Sequence, residues 1–245
     1  MVNPGWHFID HHPSIAAWAK AAHALALETL AARDEPWRCG GTWLVGVDAL
    51  PNDPSGNVPG AAFPWDALPL TPEPLHPAQL SVIKPGYPQP SPTESEPAFK
   101  YRLNRDAAHL DGLILQPNGA RMMQEPHHWI LGLPLNECDA SPLVIWDGSH
   151  EILRAALTRA LTKVPPEDWG SVDLNPAYQA ARRDIFATCT RRILPVRPGQ
   201  ASLLHRLTLH GVAPWQNDNS APSEGRIIAY LRPQMANVQD WLLAP

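Results

Sequence analysis

The sequence predicts a mainly β protein with flanking helices and antiparallel strand pairing, and three observations carry that expectation. Proline supplies 29 of the 245 residues, about 12% against a usual level of about 5%. So much proline argues against a helical bundle and for short elements joined by loops. Beyond residue 99 the chain is a succession of short runs rich in β-formers, most of them separated by turns rather than by regular helices. Finally, a 44% apolar share with ten tryptophans is enough to build a sizeable core, which excludes a disordered chain.

The elements follow in order. Residues 14–33 read as a helix, started by Pro13 and Ser14 and carrying Ile15, Trp18, Ala22 and Leu25 at helical spacing. Residues 40–50 read as a strand, with Trp43, Val45 and Val47 on alternate positions. Between Pro51 and Pro97 there are 13 prolines in 47 residues, interrupted by a strand-like run at 79–84 that Pro85-Gly86 closes. A loop of that length is either a lid over a site or an insertion. Further strands are expected at 99–103, 108–116, 128–135 and 142–146. Helices follow at 151–163 and at 176–190, the second with Asn175 as its N-cap. Strands at 192–196, 201–210 and 226–232 complete the chain. No internal repeat and no clean linker appears, so a single domain over 1–245 is expected. Residues 1–98 would pack on a core formed by 99–233.

Several classes of partner are excluded at this stage. The net charge is −5, and no basic run exceeds an Arg-Arg pair, so nucleic acid is not expected. The N-terminus lacks a basic stretch followed by an apolar one, and Lys20, His23 and Glu28 break the longest apolar segment; neither a signal peptide nor a membrane span is expected. Cys39, Cys138 and Cys189 form no CxxC pair and are odd in number, which suits a reduced, cytoplasmic protein.

The chemistry concentrates in two stretches. A His-x-Asp triplet arises by chance about 0.6 times in a chain of this composition, so His109-Leu110-Asp111 decides nothing alone. On a strand, however, residues i and i+2 project from one face, and a third ligand is available in His210. Continuous alternation along 201–210 would put Arg206 and Thr208 on the face of His210, and His205 on the other. In the last strand Arg226, Ile228 and Tyr230 share a face, and a buried arginine needs an anion. Two histidines and a carboxylate form the facial triad of non-haem Fe(II) oxygenases.

With these residues in place, the sequence over roughly 79–233 resembles the phytanoyl-CoA dioxygenase superfamily of Fe(II)/2-oxoglutarate oxygenases. The order of motifs carries the resemblance. His109-Leu110-Asp111 is similar to the metal-binding HxD, and Asp147-Gly148-Ser149-His150 to a Pro-Gly-Ser-His segment. Pro198-Gly199 through His205, followed by Leu209-His210-Gly211, is similar to the segment bearing the distal histidine. A bacterial branch named for biofilm, stress and motility phenotypes is the nearer parallel. Departures are Val212 where a serine is usual, a long interval from His210 to Arg226, and an N-terminal third that matches no motif.

The resemblance implies a double-stranded β-helix (jelly roll) that hydroxylates a small molecule. Iron would be held by His109, Asp111 and His210. 2-Oxoglutarate would chelate it, with its distal carboxylate on Arg226, and O2 would take the last position. Asp111 favours hydroxylation over halogenation, since related halogenases carry a small residue there. Tyr101, Arg206 and Thr208 are candidate pocket residues, with Arg206 also a competitor for the anchor role. His150 and His205 are expected to be structural, the Asp10-His11-His12 tract solvated, His127-His128 on a loop, and Trp129 and Trp146 in the core. Two alternatives stand beside this reading: a cupin-like metal hydrolase or isomerase, and a non-catalytic jelly-roll binding protein.

Overall fold

The computed structural model describes residues 4–92, 94–216 and 221–244. In chain order these form β1 (Trp6–Ile9), α1 (Pro13–Ala32), β2 (Trp43–Leu50), β3 (Ala78–Ile83), α2 (Glu96–Arg105), β4 (Leu113–Leu115), β5 (Arg121–Met123) and β6 (Trp129–Pro134). They continue with β7 (Leu143–Trp146), α3 (Ser149–Leu161), α4 (Asn175–Thr188), β8 (Arg191–Leu194), β9 (Ala201–His205), β10 (His210–Val212), β11 (Arg226–Leu231) and α5 (Val238–Leu243). A six-stranded antiparallel sheet runs β1-β9-β6-β11-β3-β2, a three-stranded one β10-β7-β8, and β4 pairs with β5. Ile130, Leu204 and Tyr230 of the larger sheet pack with Leu143, Ile145 and Leu194 of the smaller. Two antiparallel sheets closed over a shared interior make the expected double-stranded β-helix.

The pleat gives the larger sheet two unlike faces. Arg226 lies opposite Ile83, Ile228 opposite Ser81 and Pro134, and Tyr230 opposite Gln79 and Gly132, so these residues share the inner face. The alternate positions Val82, Leu131, Leu133, Leu203, Ile227 and Ala229 form the outer face, which α1 covers with Ile15, Trp18, Ala19, Ala22 and Ala26. Much of the proline-rich segment joins this outer layer: Val58, Phe63, Leu68 and Leu75 belong to the same cluster. The Trp18 Nε1–H donates to the Gly56 carbonyl at 2.9 Å, fixing that segment to α1. Residues 58–75 therefore pack on the side of the sheet away from Arg226 and do not form a lid over its inner face.

Four local expectations are corrected. Residues 99–103 are helical, inside α2, because Ser95 Oγ accepts the Ala98 N–H, Pro97 occupies the first turn and Glu96 pairs with Lys100 at 2.6 Å. The strand expected at 108–116 is shorter: His109 makes an isolated bridge with His210, and Gly112, at φ +89°, turns the chain before β4. A side chain at Gly112 would also strike the Glu125 carbonyl, 2.6 Å from the Cβ position. The run 201–210 is two strands in different sheets, β9 and β10, linked by a turn in which the Thr208 N–H donates to the His205 carbonyl at 2.8 Å. Side-chain alternation therefore does not carry through residues 206–209. At α4 the helix starts on Asn175 itself, whose N–H donates to Asp173 Oδ1 at 2.9 Å. Among the described residues no helix is long and apolar enough to cross a membrane.

Candidate metal centre

Two backbone contacts bring the HxD segment to the distal histidine. The His109 N–H donates to the His210 carbonyl at 2.7 Å, and the His210 N–H returns the bond to His109 at 3.1 Å. Gly211 makes this approach possible, since a Cβ there would lie 2.1 Å from the Asp106 carbonyl oxygen. The two imidazoles stand 4.5 Å apart, and Asp111 reaches them from the turn that follows. His109 Nε2 is 3.3 Å and His210 Nε2 3.8 Å from Asp111 Oδ1. One ligand atom from each of the three residues lies within 4.8 Å of the others, and among the described residues no other group of His, Cys, Asp and Glu is brought together this way.

The chemistry of this donor set suits a metal ion. His109 Nδ1–H faces the Ala107 carbonyl at 3.0 Å, and His210 Nδ1–H faces the Thr208 carbonyl at 2.9 Å. Both bonds commit the Nδ1 proton and leave the Nε2 lone pairs toward Asp111, as a metal-ligating imidazole requires. Burial would raise the Asp111 carboxyl, but the nearby Arg232, His109 and His210 outweigh it and hold it well below the usual carboxylate range. Burial, with the neighbouring His109, pulls His210 down to about 4. Burial also lowers His109, but the Asp111 hydrogen bond and charge push it above its ordinary value. A divalent cation would displace that proton.

Sequence reasoning missed two residues around the triad. Arg232, just past β11, donates from Nη1 to Asp111 Oδ2 at 3.0 Å and from Nη2 to Gln79 Oε1 at 2.5 Å. It orients the carboxylate so that Oδ1 faces the histidines. Its signal was present: Arg226, Ile228, Tyr230 and Arg232 continue one alternation. His127 does precede β6 as expected, bridging Gln234, but it is buried, and neither ring nitrogen has a hydrogen-bond partner among the described residues, Nε2 lying 3.7 Å from Glu125 Oε2. Burial and the Arg232 charge lower it to about 4.

The remaining candidates separate. Arg226 is buried on the inner face, and its Nη1 has no hydrogen-bond partner among the described residues. A buried guanidinium with an unspent donor fits a carboxylate-bearing ligand. Arg206 is engaged elsewhere: its guanidinium donates to the carbonyls of Trp241, His128 and Ala244, tying down the C-terminal segment. Thr208 Oγ1 donates to the Gly5 carbonyl at 2.6 Å, so its hydroxyl too is structural. The turn after β9 is the reason that neither accompanies His210 into the interior. Tyr101 donates to the Ala108 carbonyl at 2.7 Å and lines a cavity shared with His109. His150 is buried in the first turn of α3, 5.0 Å from the His205 ring, and His205 accepts from Arg154 Nη2 at 2.9 Å. His11 and His12 are exposed, and His12 caps α1, accepting the Ser14 N–H. Trp129 and Trp146 are buried.

No family model matches the sequence, and no curated protein matches it. Among solved structures, the chain is similar to the non-heme alpha-ketoglutarate-dependent carbocyclase SnoK from nogalamycin biosynthesis. That match has 15% identity, 96% of this chain and 84% of the other, and TM-score 0.46. The epimerase SnoN of the same biosynthesis matches at 13% identity over 93% and 77%, TM-score 0.48. EctD from S. alaskensis with bound Fe matches at 14% identity over 93% and 72%, TM-score 0.42. The first two are described as non-heme alpha-ketoglutarate-dependent enzymes, and the third holds Fe. At TM-scores below 0.5 the overlays leave the chemistry to the residues themselves.

Proposed function

We propose that this chain is an Fe(II)- and 2-oxoglutarate-dependent oxygenase of the phytanoyl-CoA dioxygenase type that hydroxylates a small molecule. The observation that carries the reading is the convergence of His109, Asp111 and His210 with both Nδ1 protons already committed to backbone carbonyls. These three side chains would hold Fe(II) on one face and leave the others for cosubstrate, oxygen and substrate. When bound, iron and 2-oxoglutarate together supply the oxidising power to insert one oxygen atom of O2 into a C–H bond.

The chain's own residues orient and exclude. Arg232 holds Asp111 so that one oxygen faces the histidines. Arg226, buried and with an unspent donor, would take the distal carboxylate of 2-oxoglutarate as a two-point partner that lysine cannot imitate. A cupin-like hydrolase needs no such anchor, which favours the oxygenase. Asp111 leaves no gap for a halide, which favours hydroxylation. Cys39, Cys138 and Cys189 form no disulfide with one another, in keeping with work in the reducing cytoplasm.

Anaerobic titration tests the reading. Fe(II) followed by 2-oxoglutarate should develop the weak visible charge-transfer band of the chelate, and air should then release succinate. Fe(II) bound without a band on adding 2-oxoglutarate would transfer the protein to the cupin-like reading, and failure to bind Fe(II) would overturn both.

A further inference from the structure

Beside the triad lies a cavity of about 510 Å3 that His109 shares with α2, α4, β2 and β5. The His109 side chain is 47% exposed, and the residue lines this cavity. Its lining carries four guanidiniums, of Arg38, Arg102, Arg121 and Arg182, against one carboxylate, Glu94, in a chain whose net charge is −5. Glu94 is already bound to Arg102 at 2.5 Å. Among the described residues no carboxylate lies within ion-pair distance of Arg38, Arg121 or Arg182.

These arginines are held in place by aromatic rings rather than by acids. Arg182 lies 4.5 Å from the ring centre of Tyr101 and 5.2 Å from that of Tyr178, with Nη2 donating to Gln179 Oε1 at 2.6 Å. Arg121 lies 5.5 Å from the same Tyr178 ring, and its Nε is buried with no hydrogen-bond partner among the described residues. A buried donor without an acceptor costs stability. Stacked guanidiniums also lose little further freedom on binding an oxyanion. A cationic enclosure in an acidic chain concentrates anions at its mouth.

We infer that the substrate is a small organic anion, bearing a carboxylate or a phosphate, whose charged group sits on Arg121 and Arg182 while the carbon to be oxidised lies at the His109 end. This rests on the oxygenase reading for the chemistry, but the anion site itself does not depend on iron. It also assigns α2 and α4, which supply Tyr101, Tyr178 and Arg182, to substrate selection.

Calorimetry on the metal-free protein tests the inference with three ring-bearing probes: 3-phenylpropionate, phenyl phosphate and the neutral 3-phenylpropionamide. At least one anion should bind ten-fold or more tighter than the amide, and the stronger of the two identifies the group. Arg121→Gln and Arg182→Gln should each weaken that anion at least five-fold, while the Fe(II)·2-oxoglutarate band of each variant stays at wild-type intensity. Equal binding of amide and anions, wild-type anion binding by both variants, or no binding of any probe would overturn the inference. Anion binding without a band would instead retain the anion site and remove the oxygenase reading, so the two failures are distinguishable.

Discussion

The two faces of the larger sheet are built by the same strands to opposite ends. The outer face is apolar: Leu131, Leu133, Leu203 and Ala229 are buried against Trp18 and the alanines of α1. The inner face, one residue out of phase, exposes Ser81, Gln79, Tyr230 and a buried Arg226 to the interior and leads to the triad. Burial stabilises the first face at about 25 cal/mol per Å2 of apolar surface. The second buries apolar side chains too, Ile130 and Leu204 against the smaller sheet, but sets polar groups among them, including an Arg226 Nη1 donor that no described residue accepts. Stability and chemistry are thus separated by the pleat.

That separation can be broken from either side, and the largest effect is expected at the ligands. His109→Ala or His210→Ala should abolish stoichiometric Fe(II) binding, read by anaerobic equilibrium dialysis, with the unfolding midpoint close to wild type. On the outer face, Leu131→Ala should cost about 2–5 kcal/mol in denaturant unfolding and leave Fe(II) stoichiometry intact under native conditions. A ligand variant that unfolds, or a Leu131 variant that stays folded but loses iron, would erase the distinction.

Smaller effects sharpen it. Arg232→Gln should weaken Fe(II) about 10–100-fold, as removal of a ligand's orienting partner does. Arg226→Met should weaken 2-oxoglutarate by roughly 1.5–3 kcal/mol while leaving stability unchanged or raised, because it removes an unspent buried charge. Arg226→Lys should recover little of that affinity. The last effect is on pH. His127 and His205 are lowered to about 4 and about 2 from 6.5, chiefly by burial. The unfolded chain therefore takes up protons near pH 6.5 that the folded chain refuses. Stability should fall progressively as pH drops below that point, and a His205→Leu variant should flatten the slope in pH-dependent unfolding.

The strands at 128–135 and 226–232 were legible because long apolar runs have little freedom in what they can become. The convergence of His109, Asp111 and His210 was legible for a different reason: few residue types ligate, and a motif order set His210 beside His109. What escaped was set by three-dimensional closure. Nothing local says that the chain leaves one sheet after His205 and joins the other at His210, so continuous alternation misassigned Arg206 and Thr208. Helix α2 was obscured by its aromatic residues, although Ser95 and Pro97 were valid start signals. Strand β1 has four residues and helix α5 six, too short to show a period. Arg232 needed only one more step along an alternation already noted.

An anomalous-diffraction experiment on crystals grown anaerobically with Mn(II) and 2-oxoglutarate tests the central claim most directly. The account predicts one strong metal peak bonded to His109 Nε2, Asp111 and His210 Nε2, with cosubstrate density running from that peak to Arg226. A metal peak elsewhere, or 2-oxoglutarate lying away from both the triad and Arg226, would contradict it.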